Sequence, residues 1–429
     1  MLPVAASELA QRSARPMPEQ GATFYDRQEV RDPAEREAAM FHALPGLLRH
    51  ALDNAPYLAD HLGGVEPDAI TSPARLAALP VLRKSELSAL QARRLPFGGL
   101  AATPLRRLAR VFASPGPIYD PEGARPDYWR FARAMYAAGF RAGDVVHNSF
   151  SYHLTPAGSM AESGARALGL PVLPGGTAPA ELQLRALGDI GATAYVGTPS
   201  FLVTLLEKGR ELGRPPATLT KALVSGEGFP AATRARLAQE FAVRAVECYA
   251  SADLGLIAYE SVGGEGLIVD EAVIVEIVRP GTGDPVAEGE VGEVVVTVFN
   301  PDYPLIRFAT GDLSALLPGQ SPCGRTNRRL RGWLGRADQA AKVRGQFVRP
   351  EQMAELVRRH AEVAKARLVV TRVDDRDVLR LCCEVTDTPE GLAERLVAAA
   401  RALAGLRTEV ELVAPGSLPN DGRVIDDRR

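Results

Sequence analysis

From Asp144 onward, short apolar runs alternate with helical stretches at intervals of about 25 residues. The runs are Val145–His147, Pro171–Leu173, Ala194–Gly197, Ala222–Ser225 and Arg244–Cys248. Between them lie Gly158–Leu168, Glu181–Asp189, Pro199–Leu212 and Pro230–Glu240, each long enough to form a helix. Parallel strands need a crossover of a dozen or more residues, which a helix supplies, whereas a hairpin needs two. The spacing therefore predicts a parallel sheet covered by helices, the α/β class.

The texture changes on either side. Residues 1–20 are rich in Ala, Pro and Gln and are expected to be poorly ordered. Pro33–Leu62 carries apolar residues at helical spacing (Leu44, Leu47, Leu48, Ala51). The valine-rich runs Ala272–Val278 and Glu293–Phe299 flank Arg279-Pro-Gly-Thr-Gly-Asp-Pro, a turn sequence, and predict an antiparallel hairpin in an attached β-rich lobe. After Gly335, strands at Arg367–Thr371, Val378–Val385 and Thr408–Val413 surround a helix at Pro389–Leu403, a compact α+β unit. The boundary falls near Gly332–Asp338, giving domains of 21–334 and 335–429. A chain of 429 residues exceeds one ordinary core, which supports this division.

Charge excludes several functions. The net charge of −2 supplies no field that would attract nucleic acid or an anionic membrane. No signal peptide and no apolar run of membrane-spanning length is present, and four cysteines show no disulfide spacing, so a cytoplasmic location is expected. Basic charge resides almost wholly on arginine, and the lysines are Lys84, Lys208, Lys221, Lys342 and Lys365. Any lysine-dependent chemistry must draw on those positions.

Two segments stand in a telling order. Tyr303-Pro-Leu-Ile-Arg-Phe-Ala-Thr-Gly-Asp312 is followed 23 residues on by Gly335-Arg-Ala-Asp-Gln-Ala-Ala-Lys-Val-Arg-Gly345. Either alone is a turn or a basic loop; together, at the boundary, they resemble two signatures of the adenylate-forming superfamily. The resemblance implies that Asp312 accepts from the ribose hydroxyls, since a carboxylate offers two acceptors to a vicinal diol. It also implies that Arg336 supports the nucleotide and that Asp338 is the hinge of the small domain. Cys248-Tyr-Ala-Ser-Ala-Asp253 resembles the motif in which an aromatic, here Tyr249, flanks adenine beside Ala250 and Ser251. Its carboxylate, here Asp253, coordinates Mg2+, a cation that prefers oxygen ligands. Gly226-Glu227-Gly-Phe-Pro resembles the adenine-edge motif. Further segments, among them Asn148-Ser-Phe-Ser-Tyr152, Pro174-Gly-Gly-Thr177 and Cys323-Gly-Arg-Thr326, resemble the phenylacetate–coenzyme A ligase family over about residues 24–428. That likeness implies Tyr152 as the lining of an acid pocket, with His153 beside it as a substrate contact; the plain alternative for each is an ordinary half-buried aromatic and a structural histidine.

The family pattern breaks in three places. The phosphate-gripping loop, elsewhere rich in Ser, Thr, Gly and a lysine, reads Ala113-Ser-Pro-Gly-Pro-Ile-Tyr-Asp-Pro-Glu-Gly123 here. Its prolines lack N–H donors, Asp120 and Glu122 are expected to repel phosphate, and Ser114 and Gly116 are the remnants of the loop. Near the C-terminus Arg423 stands where the family has a lysine, and the lysine inventory offers no nearby substitute. Arginine keeps the charge but not the compact ammonium geometry. Zinc is not expected, because Cys323 alone remains of the ligand set of some relatives.

The resemblance implies an acid–CoA ligase: carboxylate plus ATP gives acyl adenylate, which the coenzyme A thiol then attacks. Its cofactors are ATP/AMP, Mg2+ and coenzyme A; its partners are small-molecule acids, with a homodimer compatible and neither nucleic acid nor membrane. The rival reading is a catalytically silent relative that binds nucleotide or acyl adenylate.

Overall fold

The computed structural model describes residues 23–114, 117–337, 341–343, 346–373, 376–404 and 408–428. Residues 1–20, expected to be poorly ordered, lie outside the described residues.

A nine-stranded sheet forms the body. Strands Val172–Pro174, Val146–Asn148, Ala194–Gly197, Lys221–Val224 and Arg244–Ser251 lie side by side in that order and all pair in parallel. The predicted βαβ spacing therefore holds. Every residue of Ala194–Gly197 is buried, as expected for a strand covered on both faces. The helix that follows, Pro199–Glu211, begins where Thr198 accepts from Phe201 N–H and Pro199 occupies the first turn, so its start is written in the local sequence. The sheet continues in antiparallel fashion through Gly255–Tyr259, Leu267–Val269, Arg329–Leu330 and Leu316–Leu317.

The β-rich lobe is a four-stranded sheet ordered Leu82–Arg83, Phe308–Ser314, Gly292–Val298, Val273–Val278. Its central hairpin pairs Val273 with Val298 through Val278 with Glu293, the pairing expected from the valine-rich runs. The edge strand at 82–83 carries no comparable pattern and is recruited by pairing with Phe308 and Ala309. The single N-terminal helix expected over Pro33–Leu62 is two helices, Pro33–Asn54 and Pro56–His61. The break at Ala55 has a local cause: the residue before a proline is pushed out of the α region, and Ala55 is extended.

In the C-terminal part, Val363–Val373 and Arg376–Val385 form a long hairpin flanked by Glu409–Val413 and Ile425–Asp427 in a four-stranded sheet. Helices Pro350–Arg359 and Leu392–Ala404 pack with it. Buried residues between Ala341 and Ile425 form a hydrophobic cluster of their own, separate from those of the body. No helix among the described residues is long and apolar enough to cross a membrane.

Candidate active site

Asp312 lies in the strand Phe308–Ser314, and Gly311 before it adopts φ +76°, a left-handed conformation that glycine takes without strain. A β-carbon at 311 would also stand 2.7 Å from the Arg336 guanidinium, so glycine lets the arginine pass directly over the strand. Backbone pairing joins the two segments: Leu313 N–H donates to Gly335 C=O at 2.9 Å, and Ala337 N–H to Gly311 C=O at 2.7 Å. The Thr-Gly-Asp and Gly-Arg-Ala-Asp segments thus meet as an isolated antiparallel bridge between Asp312 and Arg336.

Three side chains converge on the Asp312 carboxylate. Tyr249 donates its hydroxyl to Oδ2 at 2.8 Å. Trp333 donates its indole N–H to Oδ1 at 3.0 Å, and Arg336 donates to the same oxygen at 3.1 Å. Thr310 completes the group, its hydroxyl 3.0 Å from that of Tyr249 while accepting the Asp312 N–H at 3.1 Å. Burial, and then the facing Asp312 carboxylate, raise the Tyr249 hydroxyl well above the ordinary phenol range, so it stays a donor. The result is a carboxylate with two acceptor oxygens, surrounded by donors, a cation and two aromatic rings. Trp333 was not singled out from the sequence, although a tryptophan between two glycines (Gly332 and Gly335, both with φ above +110°) beside the Gly-Arg motif was a usable signal.

A second cluster sits at the altered phosphate loop. Strands Arg110–Ser114 and Ile118–Glu122 form a hairpin with Ser114 opposite Ile118. Ser114 donates to Asp120 Oδ2 at 2.5 Å. Asp120 and Glu122, the loop's two carboxylates, are both buried. The hairpin turns Asp120 inward, and Glu122 is held by Arg110 and by Ser159 at 3.1 Å. Burial first, and Asp253 second, push the Asp120 carboxyl far above the usual range, so it resists ionisation.

Asp253 is buried and paired with Lys84, whose Nζ lies 2.6 Å from Oδ2. The loop itself holds no lysine, and Lys84 was not singled out from the sequence. Lys84 precedes Asp253 by 169 residues and arrives on the short helix Lys84–Glu86 next to the edge strand of the β-rich lobe. The other oxygen, Asp253 Oδ1, is buried without a hydrogen-bond partner among the described residues, as is Asp120 Oδ1. An orphaned buried carboxylate oxygen has the chemistry of a Mg2+ donor, so Asp253 fits the ligand role implied by the resemblance.

Gly226 has φ +86°, and Glu227 accepts Ser200 N–H at 2.7 Å, which ties the turn after Lys221–Val224 to the start of the preceding helix, Pro199–Glu211. Ala250 and Ser251 end the strand Arg244–Ser251, and Ser251 Oγ accepts Leu254 N–H at 3.2 Å. Tyr152 is half-buried, and its hydroxyl accepts from Asn148 at 2.8 Å. Burial, then the Glu162 charge, raise that phenol. His153 is exposed, its backbone N–H donating to Ser151 Oγ at 3.1 Å. Arg423 and Arg336 line one cavity of about 280 Å³ with Leu313 and Leu334. Gly116 and Asp338 lie outside the described residues. Cys323 keeps its thiol 3.0 Å from the Ser321 hydroxyl.

A carboxylate of the β-rich lobe is thus ringed by Tyr249 from the nine-stranded sheet and by Trp333 and Arg336. No protein-family model matches the chain. Among curated proteins, the phenylacetate-coenzyme A ligase of Aromatoleum evansii is 30% identical over 425 residues, covering 92% of this chain and 95% of that one. The phenylacetate-coenzyme A ligase of Thermus thermophilus is 30% identical over 431 residues, covering 90% and 95%. Among solved structures, an open conformation of 2-hydroxyisobutyryl-CoA ligase in complex with 2-HIB-AMP and CoA superposes with a TM-score of 0.73 at 25% identity, covering 95% of this chain and 94% of that one. The same enzyme in its thioesterification state gives 0.71 at 25% identity, covering 96% and 94%. The chain belongs to the phenylacetate–coenzyme A ligase family.

Proposed function

We propose that this protein joins a small carboxylic acid to coenzyme A in two steps. In the first, the acid's carboxylate oxygen attacks the α-phosphorus of ATP, pyrophosphate leaves, and an acyl adenylate forms. In the second, the coenzyme A thiol, having lost its proton, attacks the acyl carbonyl; the C–O bond to AMP breaks and a thioester remains. The observation that carries this reading is the convergence of Tyr249, Trp333 and Arg336 on Asp312, which supplies a diol acceptor between an aromatic ring and a guanidinium. A ribose diol would exchange one or more of these donors for its own hydroxyls.

The residues take the following roles. Asp312 and Arg336 hold the ribose, and Tyr249 with the 226–227 turn borders the adenine. Ser114 is the hydroxyl left at the phosphate end, where Lys84 supplies the cation that the loop lacks. Arg423, across the shared cavity from Arg336, faces the charge that develops at the α-phosphate. Asp338 is the hinge about which the domain of 335–429 moves against that of 21–334. Mg2+ bound at Asp253 would neutralise phosphate charge. Tyr152 with His153 borders the acid, and an aromatic acid such as phenylacetate suits an aromatic wall; the phenylacetate-coenzyme A ligases among the relatives support the same reading.

A hydroxamate-trapping screen of aryl and short acyl acids with ATP and Mg2+ tests the proposal. One acid class should give acyl hydroxamate in the wild type and none in Asp312→Ala. Absence of hydroxamate from every acid, with AMP still bound, would favour the silent relative instead.

A further inference from the structure

The segment 418–423 is pinned to two bodies in alternation. Leu418 N–H donates to Glu384 at 2.7 Å, and Pro419 C=O accepts from Arg367 at 3.1 Å, both within the C-terminal unit. Asn420 then reaches the other way. Its side-chain oxygen accepts Val291 N–H at 2.9 Å, and its amide nitrogen donates to Gly289 C=O at 3.3 Å, both in the loop leading into the β-rich lobe's central strand. Asp421 returns to the C-terminal unit through Arg367 and accepts Arg423 N–H at 3.0 Å. Gly422, at φ +68°, presses on the lobe again: a β-carbon there would stand 2.7 Å from Val291 Cγ1 and 3.0 Å from Leu313 Cδ2. The next residue is Arg423, in the cavity that Leu313 and Arg336 also line.

We propose that Asn420 is a positioning residue for the adenylation step: with Gly422 it latches the C-terminal unit onto the 289–291 loop and so sets Arg423 opposite Arg336. The proposal rests on the ligase reading above and adds to it the group that holds the cation in place. Asn420 suits the task because its amide offers one acceptor and one donor to a backbone that presents one of each. Arg423 itself is exposed and anchored only loosely, its guanidinium 3.4 Å from Asp426, so its position depends on the residues before it. Thioester formation does not need the cation at the α-phosphate and should be indifferent to the latch.

Two measurements on full-length Asn420→Ala, with Gly422→Ala as a second variant, test this. Asn420 is exposed, so its truncation leaves the cores intact. Hydrogen exchange should show faster exchange at the Val291 amide while amides of the hairpin Val363–Val385 keep their rates. Pyrophosphate exchange should fall about 5- to 30-fold, the equivalent of one or two hydrogen bonds. Thioester formation from a supplied acyl adenylate should change by less than about 2-fold, a split that a general structural defect would not produce. An unchanged Val291 amide overturns the latch. Faster exchange at Val291 with both half-reactions reduced alike, or neither reduced, overturns the positioning role. A wild type without pyrophosphate exchange sinks the ligase reading, and the Val291 amide still decides whether the latch exists.

Discussion

Replacing Lys84 with methionine removes the cation from a carboxylate that has nowhere else to turn. The Asp253 side chain is 1% exposed and that of Lys84 29%, with 2.6 Å between Nζ and Oδ2. At an effective dielectric constant near 20, two unit charges at that distance attract by about 6 kcal/mol before desolvation is counted. Removing one partner of a fully buried pair costs about 3–5 kcal/mol. Because the lysine is partly solvated, the loss is discounted to or below the bottom of that range, about 2–3 kcal/mol. Methionine keeps the length and apolar stem, which confines the change to charge. Urea unfolding followed through Trp129, which is buried in the body, is the assay. The double variant Lys84→Met/Asp253→Asn should recover most of the loss, since it removes the stranded charge together with its partner. A loss below about 0.5 kcal/mol, or a double variant no better than the single one, would refute the claim that the pair is coupled.

Other outcomes follow from the same geometry. Trp129 is buried and Trp333 is 52% exposed, so AMP should change the emission of Trp333; the change should vanish in Trp333→Phe and weaken at least tenfold in apparent affinity in Asp312→Asn, about 1.4 kcal/mol. His147 is fully buried, and burial lowers its imidazole to about 4, below the ordinary 6.5. Its neutral form is the one that folds, so stability is complete above pH 6.5 and falls as pH drops from 6.5 toward 4, by about 3 kcal/mol; His147→Asn should flatten that window in pH-dependent unfolding. Pyrophosphate exchange should run slower than thioester formation from supplied adenylate, and Arg423→Lys should raise the former without raising the latter. Equal and fast half-reactions in the wild type would remove the grounds for treating the phosphate loop as impaired.

Sequence made legible what depends on chain-local pattern. The parallel order from 146 to 251 follows from strand–helix spacing, and Asp312 meets Arg336 because two motifs flank one boundary. What stayed hidden depends on contacts between distant segments or on which side of a strand a residue faces. Lys84 was among five lysines available, yet nothing local ties it to Asp253, since the strand just before it, Leu82–Arg83, is placed by pairing with Phe308 and Ala309. The burial of Asp120 and Glu122 stayed hidden because their hairpin register, Phe112 opposite Asp120, cannot be read from a run broken by prolines. The break at Ala55 was readable from Pro56 and was overridden in the expectation by the continuous apolar spacing around it.

The claim on which the rest depends is that the acid is activated as a mixed anhydride with AMP. An acid labelled with 18O in its carboxyl group decides this directly, because bond-making at the α-phosphorus leaves one carboxyl oxygen on the phosphate after thioester formation. The account predicts one 18O atom in AMP and none in pyrophosphate, with the signal lost in Asp312→Ala. Label appearing in inorganic phosphate, or thioester formed with unlabelled AMP, would contradict it.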